Sequence, residues 1–160
     1  MHPKLKSIHR AANIGLYGTL LLCILTVAEH FLDKYVWVRE ITTNEYTHHL
    51  FLVVGLILSV VDIAMVLFTM RRQIPKIRSI DDVDEKISRY TSLVRSVFYC
   101  TLFVVFLVCA FVVITHENTM IMLLLLLFVT LVLDYPNMFK IKSDLGLNNE
   151  QMKELFSNYS

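Results

Sequence analysis

The sequence predicts an all-α integral membrane protein: a four-helix bundle, up-down and antiparallel, with a cytoplasmic amphipathic extension on one helix and a short C-terminal helix. Three observations carry this. The 160 residues are 56% hydrophobic and 18% charged, with a mean hydropathy of +0.58, whereas an ordinary soluble domain is roughly 45–50% apolar and about 25% charged. Four stretches are too apolar to be loops, and the basic residues gather on alternate connections between them. The length allows one unit, so residues 1–160 read as a single transmembrane domain.

Composition also excludes several classes. Gly 4 and Pro 3, with no internal period, rule out collagen-like, low-complexity and solenoid chains. Lys+Arg 15 against Asp+Glu 14 leaves a net charge of +1, so no nucleic-acid partner held by bulk charge is expected.

The first span is expected over residues 11–32, since 11–28 carries no charge and a bilayer core about 30 Å thick needs about 20 helical residues. Lys4, Lys6 and Arg10 ahead of it resemble the start of a secretory signal. The apolar run is long for a signal core, however, and its small residues Thr26 and Ala28 lead into Glu29 and His30 without a cleavage context, which favours a retained helix. Cys23 follows a bulky Leu22, which argues against a lipid-attachment box. The second span, 48–70, holds one charge, Asp62; the third, 92–115, has none from 96 onward. In the fourth, 117–135, the uncharged run 119–133 is short, and tilt or local thinning absorbs the remainder.

Orientation follows from charge. The N-terminus, the 71–91 loop together with Arg95 just beyond it, and the 136–160 tail hold thirteen of the Lys and Arg residues; the other two, Lys34 and Arg39, follow the first span. The positive-inside rule then places both termini, the loop and the tail in the cytoplasm. Tyr35, Trp37, Tyr46 and Phe51 mark the outer boundary, and Tyr90, Tyr135 and Phe139 the inner. Within the loop Ser79 stands three residues before Asp82 as in a capping box, and Ile80, Val83, Ile87, Tyr90, Val94 and Val97 share one helical face that runs into the third span. Pro136 should bend or end the fourth helix, and Asn148 should cap a final amphipathic helix carrying Met152, Leu155, Phe156 and Tyr159.

Helices associate in lipid through small residues and hydrogen bonds, because apolar bulk gives no preference over lipid tails. Ala11, Gly15, Thr19 and Cys23 form such a stripe on the first span, Gly55, Ser59 and Asp62 on the second, and Ser92, Ser96 and Cys100 on the third. Gly15, Thr19, Gly55 and Ser59 are the expected packing positions, with leucines 123–127 of the fourth helix facing lipid and partners alike.

Asp62 is the sharpest chemical feature, because a carboxylate within a span usually faces a bundle interior or a water-filled cavity. It is the candidate for an ion path, against the plainer role of fixing helix register; its expected neighbours are Tyr17, Thr19 and Thr101, with Arg95 at the inner edge. His30, His48, His49 and His116 cluster at the outer boundary with Glu29, Glu45 and Glu117, a set suited to a divalent transition metal although no spacing matches a metal motif. No other cofactor is expected. Cys23, Cys100 and Cys109 lie within spans and form no C-x-x-C pair; Cys23 and Cys109 share a depth but sit on helices that a simple bundle makes diagonal. Phosphate-loop, nucleophile-elbow and zinc-protease motifs are absent, so no catalytic residue is named.

Arg72, Gln73, Ile74 and Pro75, followed by Glu85, Lys86, Ile87, Ser88, Arg89 and Tyr90, then Arg95, and finally Tyr135 and Pro136 leading to Asp144, Leu145, Gly146, Leu147 and the Glu150 helix, together resemble a family of small four-span membrane proteins of Bacteroidetes-type bacteria. The resemblance covers about the second half of the chain and implies topology and source, without an activity. Members of that family tend to carry an acidic residue and a glycine where this chain has Cys100 and Thr101.

The expected function is a non-enzymatic accessory or scaffold subunit of a bacterial inner membrane. Its partners would be the lipid bilayer and either a second copy or another membrane protein. The alternative is a small proton or metal-ion transporter or sensor using Asp62 and the outer histidines.

Overall fold

In the computed structural model, residues 3–36, 45–115 and 118–157 are described, and among them the chain is entirely helical apart from short turns. The helices are α1 (Pro3–Val36), α2 (Glu45–Arg78), α3 (Val83–Thr115), α4 (Asn118–Leu133), α5 (Met138–Leu145) and α6 (Asn149–Ser157). Trp37, His116 and Tyr159 lie outside the described residues.

Three helices, α1 to α3, are each long and apolar enough to cross a membrane, and α4 joins them as a fourth only if it is taken with α5, to which it is bent by 69°. The expected fourth span corresponds to α4, whose 16 residues extend about 24 Å as a helix against a hydrocarbon core of about 30 Å, and it stops where Pro136 was expected to bend or end it. The stop is chemical. Pro136 cannot continue the helical ladder, and Asn137 begins a new helix by accepting the Lys140 N–H at 2.8 Å.

The segment 71–91 is helical except at residues 79–82, because α2 continues through Pro75 to Arg78 and α3, as expected for its amphipathic start, begins ahead of the apolar run at Val83. The cap of α3 is Asp82, not Ser79: its carboxylate accepts the Asp84 and Glu85 N–H groups at 3.2 Å, while the Ser79 hydroxyl donates back to the Lys76 carbonyl at 2.8 Å. The tail contains two helices where one was expected. Asn148 caps the second, exchanging hydrogen bonds with Gln151 at 2.7 and 3.0 Å.

α3 is the spine. It packs against α1, α2 and α4, whereas α1 and α2 make at most marginal contact among the described residues. This departs from a ring in which the first and third helices are diagonal, and glycine is the reason. A Cβ at Gly15 would lie 2.8 Å from the Phe98 Cβ, and one at Gly18 would lie 3.1 Å from Leu102. α1 thus approaches α3 closely along its small-residue stripe, and Cys23 and Cys109 meet across that seam. Gly55 serves α4 in the same way, since a Cβ there would come within 2.8 Å of Met120. Ser92 and Ser96, expected to pack, are exposed.

Two apolar cores follow. One joins Leu5, Ile8, Ile87, Tyr90, Leu131 and Ile141 at the end carrying the N-terminus; the other joins Val105, Val108, Val112, Met120 and Leu124 toward the opposite end. Outside these seams the helices present bare hydrocarbon: Leu21, Ile24, Leu25, Ile57, Val60 and Phe103 are all more than half exposed. Only 22% of α2's apolar stretch is buried, against 44% of α3's. Exposed apolar surface on that scale is what a lipid-facing protein presents and a water-facing one avoids.

The Gly15–Phe98 contact yields a prediction. Gly15→Ala places a methyl against a Cβ that cannot rotate away, and such overpacking costs about 1–3 kcal/mol. Thermal unfolding in detergent should show a lower midpoint for Gly15→Ala and a smaller change for Gly18→Ala, where the neighbour is the flexible end of Leu102.

Candidate functional site

The polar residues gather at three levels. Midway along the bundle, Asp62 is 3% exposed on α2 and faces α3, lying alongside the Thr101 hydroxyl and the Cys100 thiol. Its small neighbour Ser59 is fully buried and donates to the Gly55 carbonyl at 2.8 Å. Two hydroxyls elsewhere in the spans are satisfied in the same way, Thr115 on Phe111 at 2.8 Å and Thr130 on Leu126 at 2.9 Å. At the Asp62 level this fails: Oδ1 of Asp62 and Oγ1 of Thr101 are buried side by side without a hydrogen bond of good geometry, and Oγ1 of Thr19 on α1 is likewise unpaired. Each such group costs about 1–3 kcal/mol, so this level carries polar capacity that the helices alone do not use. Of the expected neighbours, Thr101 is in place. Tyr17 turns outward, 62% exposed, and Arg95 is exposed.

At the end away from the termini, the histidines go to separate partners. His30 Nε2 donates to the Asn118 side-chain oxygen at 3.1 Å, joining α1 to the start of α4, and His48 Nε2 donates to the Thr115 carbonyl at 2.9 Å, joining α2 to the end of α3. His49 sits edge-on to His48, its centroid 6.2 Å away. Among the described residues no three His, Cys, Asp or Glu side chains are placed to hold a metal ion. His30 stands on α1 and His48 on α2, and their partners Asn118 and Thr115 flank the same α3–α4 connection.

The most elaborate polar construction is at the terminal end, and sequence reasoning did not single it out. α5 turns back beneath α2 and α3, seating Ile141, Leu145 and Leu147 in the core. Buried Tyr90 donates its hydroxyl to Asp144 at 2.9 Å. Arg78 donates to the Ser143 carbonyl at 2.6 Å, and its stem lies on Gly146. Gly146 adopts φ +63°, which closes α5 with N–H groups of Gly146 and Leu147 on the carbonyls of Ser143 and Lys142. A Cβ at Gly146 would lie 2.9 Å from the Arg78 Cγ, so glycine is required twice over. Lys140 pairs with Asp134 at 2.6 Å, and Tyr135 donates to Asn13 of α1 at 2.6 Å. The bent tail thereby ties α1, α2 and α3 together. The visible signals were Asn137, set to cap, and a glycine followed by a leucine at 146–147; neither names its distant partner.

Electrostatics at this seat are unbalanced. Burial pushes the Asp144 carboxyl above its ordinary value, opposed by the Tyr90 hydroxyl and the charges of Lys140 and Arg78, with Asp134 adding to the rise. Burial and the adjacent Asp144 raise the Tyr90 phenol. Burial lowers the His9 imidazole.

No protein-family model, curated protein or solved structure matches the chain.

The Asp144 shift has a definite sign. A carboxyl raised on folding contributes stability that is complete below its unfolded value of 3.8 and is lost as pH rises through the raised value. Amide protection of α5, corrected for intrinsic exchange, should therefore increase on acidification through that window. Asp144→Asn retains an oxygen for Tyr90 and should abolish the increase. His9, lowered from 6.5, acts in the opposite sense on acidification, so the difference between wild type and Asp144→Asn isolates the carboxyl.

Proposed function

We propose that the protein is a multi-pass protein of a bacterial inner membrane, with both termini in the cytoplasm, that acts as a non-catalytic accessory or scaffold subunit. Its cytoplasmic end is the surface offered to a membrane-protein partner. The observation that carries this reading is the seated tail. An eight-residue helix is not stable alone in water, yet α5 is fixed by Ile141, Leu145 and the Tyr90–Asp144 bond while Met138 and Phe139 remain 50% and 86% exposed. A rigid platform with a projecting apolar pair, flanked by Lys140 and Lys142, suits docking at the inner interface.

Membrane placement is supported by the lipid-like exposure of α1 to α4, orientation by the thirteen basic residues assigned to the inner side, and a bacterial source by the resemblance carried at 72–75, 85–90 and 135–150. Reporter fusions after Tyr46, Ser79 and Ser160 should read outside, inside and inside. Purification from native membranes in mild detergent should yield a stoichiometric partner, and Met138→Glu with Phe139→Glu should release it without lowering the unfolding midpoint. A homo-oligomer alone, or a partner indifferent to those substitutions, would contradict the scaffold role.

One observation favours a second reading. The unpaired buried oxygens of Asp62, Thr101 and Thr19 suit a site where a proton or a metal ion pauses, and a small ion transporter or sensor would use them. Proteoliposomes carrying Asp62→Asn should then lose ion flux; equal flux in the variant and the parent protein would remove this reading.

A further inference from the structure

The serines expected to pack α3 against a neighbour do something else. Ser92 and Ser96 are exposed and line a cleft of about 460 Å³ between the last turns of α2 and the first turns of α3. That volume lies within the range of about 300–1,000 Å³ common to small-ligand sites. The cleft's wall on α2 carries Thr69, Gln73 and Lys76, and its wall on α3 carries Arg89, Ser92 and Ser96. Leu93 and Ile77 form an apolar floor. Charge and polarity are graded along it: Lys76 and Arg89 stand toward the 79–82 turn, and the hydroxyls of Thr69 and Ser96 stand about 10 Å deeper.

Among the described residues no carboxylate lines the cleft. Glu85 touches Arg89 from outside, at 2.8 Å, but both side chains are about half exposed or more, and pairs of this kind contribute little. Two cations on opposite walls, hydroxyl and amide donors between them and an apolar floor match a phosphodiester with a short polyol behind it. The depth is right for such a group, because the cleft begins where the apolar stretches of α2 and α3 end.

We propose that this cleft binds the headgroup of an anionic phospholipid of the inner leaflet. Lys76 and Arg89 hold the phosphate, and Ser92, Ser96 and Gln73 hold the headgroup hydroxyls. Basic pockets between transmembrane helices on the cytoplasmic side bind lipid headgroups in this manner. The inference rests on the membrane placement proposed above and is independent of the scaffold role. Lipid at this position bridges the α2 and α3 walls of the cleft.

The test is native mass spectrometry and affinity titration of detergent-released protein with phosphatidylglycerol, phosphatidylcholine and inorganic phosphate. Phosphatidylglycerol should bind in preference to phosphatidylcholine. Each cation removed, as Lys76→Gln or Arg89→Gln, should weaken binding about fivefold, and the double variant about thirtyfold. Ser96→Leu fills the cleft without changing charge and should also displace the lipid, while Lys6→Gln with Arg10→Gln on α1 should not. Equal binding of the two lipids, or indifference to Lys76, Arg89 and Ser96, would overturn the proposal. So would displacement of phosphatidylglycerol by phosphate at comparable concentration, which marks a free-anion site. Failure of the membrane placement is distinguishable, because the protein would then leave membranes in alkaline wash without detergent.

Discussion

The close approach of α1 to α3 along a stripe of small residues is the contact on which the rest of the arrangement depends. In lipid there is no hydrophobic drive between helices, so backbone proximity and shape must hold them. Gly15 and Gly18 let α1 lie against Phe98 and Leu102, and Thr19 and Cys23 extend the same seam. Once α1 occupies that side of α3, α2 must take another, and α4 is left to pack against all three. The meeting of Cys23 with Cys109 and the exposure of Ser92 and Ser96 both follow from this one choice of neighbours.

The two ends of the bundle are closed differently. Away from the termini, His30 and His48 join helix ends through single hydrogen bonds to Asn118 and Thr115. At the terminal end a whole helix is folded back and fixed by Tyr90, Arg78 and buried aliphatic side chains. Between them the Asp62 level retains unpaired polar atoms. Stability is thus concentrated at the terminal end, and unused polar capacity at the middle. A scaffold needs the first; an ion-handling protein needs the second.

Much of the helical architecture was legible in the sequence, because length, apolar runs and basic clusters are one-dimensional signals. The helical class and the positions of the long apolar segments could be read directly. What could not be read depends on partners far apart in the chain. Nothing local to Gly15 says that Phe98 will fill the space above it, and the diagonal placement of Cys23 and Cys109 failed for that reason. The capping pattern Ser79 to Asp82 was ambiguous because either residue can cap; the helical continuation of α2 to Arg78 decided for Asp82. α5 was missed because its composition is polar and its apolar face, Ile141 and Leu145, becomes evident only against α2 and α3. The small stripe on α3 was only partly legible, Cys100 lying beside Asp62 while Ser92 and Ser96 line a cleft, because small residues line clefts as readily as they line contacts.

The central claim is that α2 keeps a narrow seam of small and polar residues toward α3 and α4 and that its opposite face is the one offered to lipid. Spin labels placed singly along residues 53–67 in a bilayer test it directly, through collision with oxygen, which partitions into lipid, and with a water-soluble nickel complex. Oxygen access should rise and fall with the helical period, with maxima at Val53, Ile57, Val60 and Leu67 and minima at Gly55, Ser59, Asp62 and Val66. High access to the nickel complex at the maxima, or no periodicity, would contradict the account.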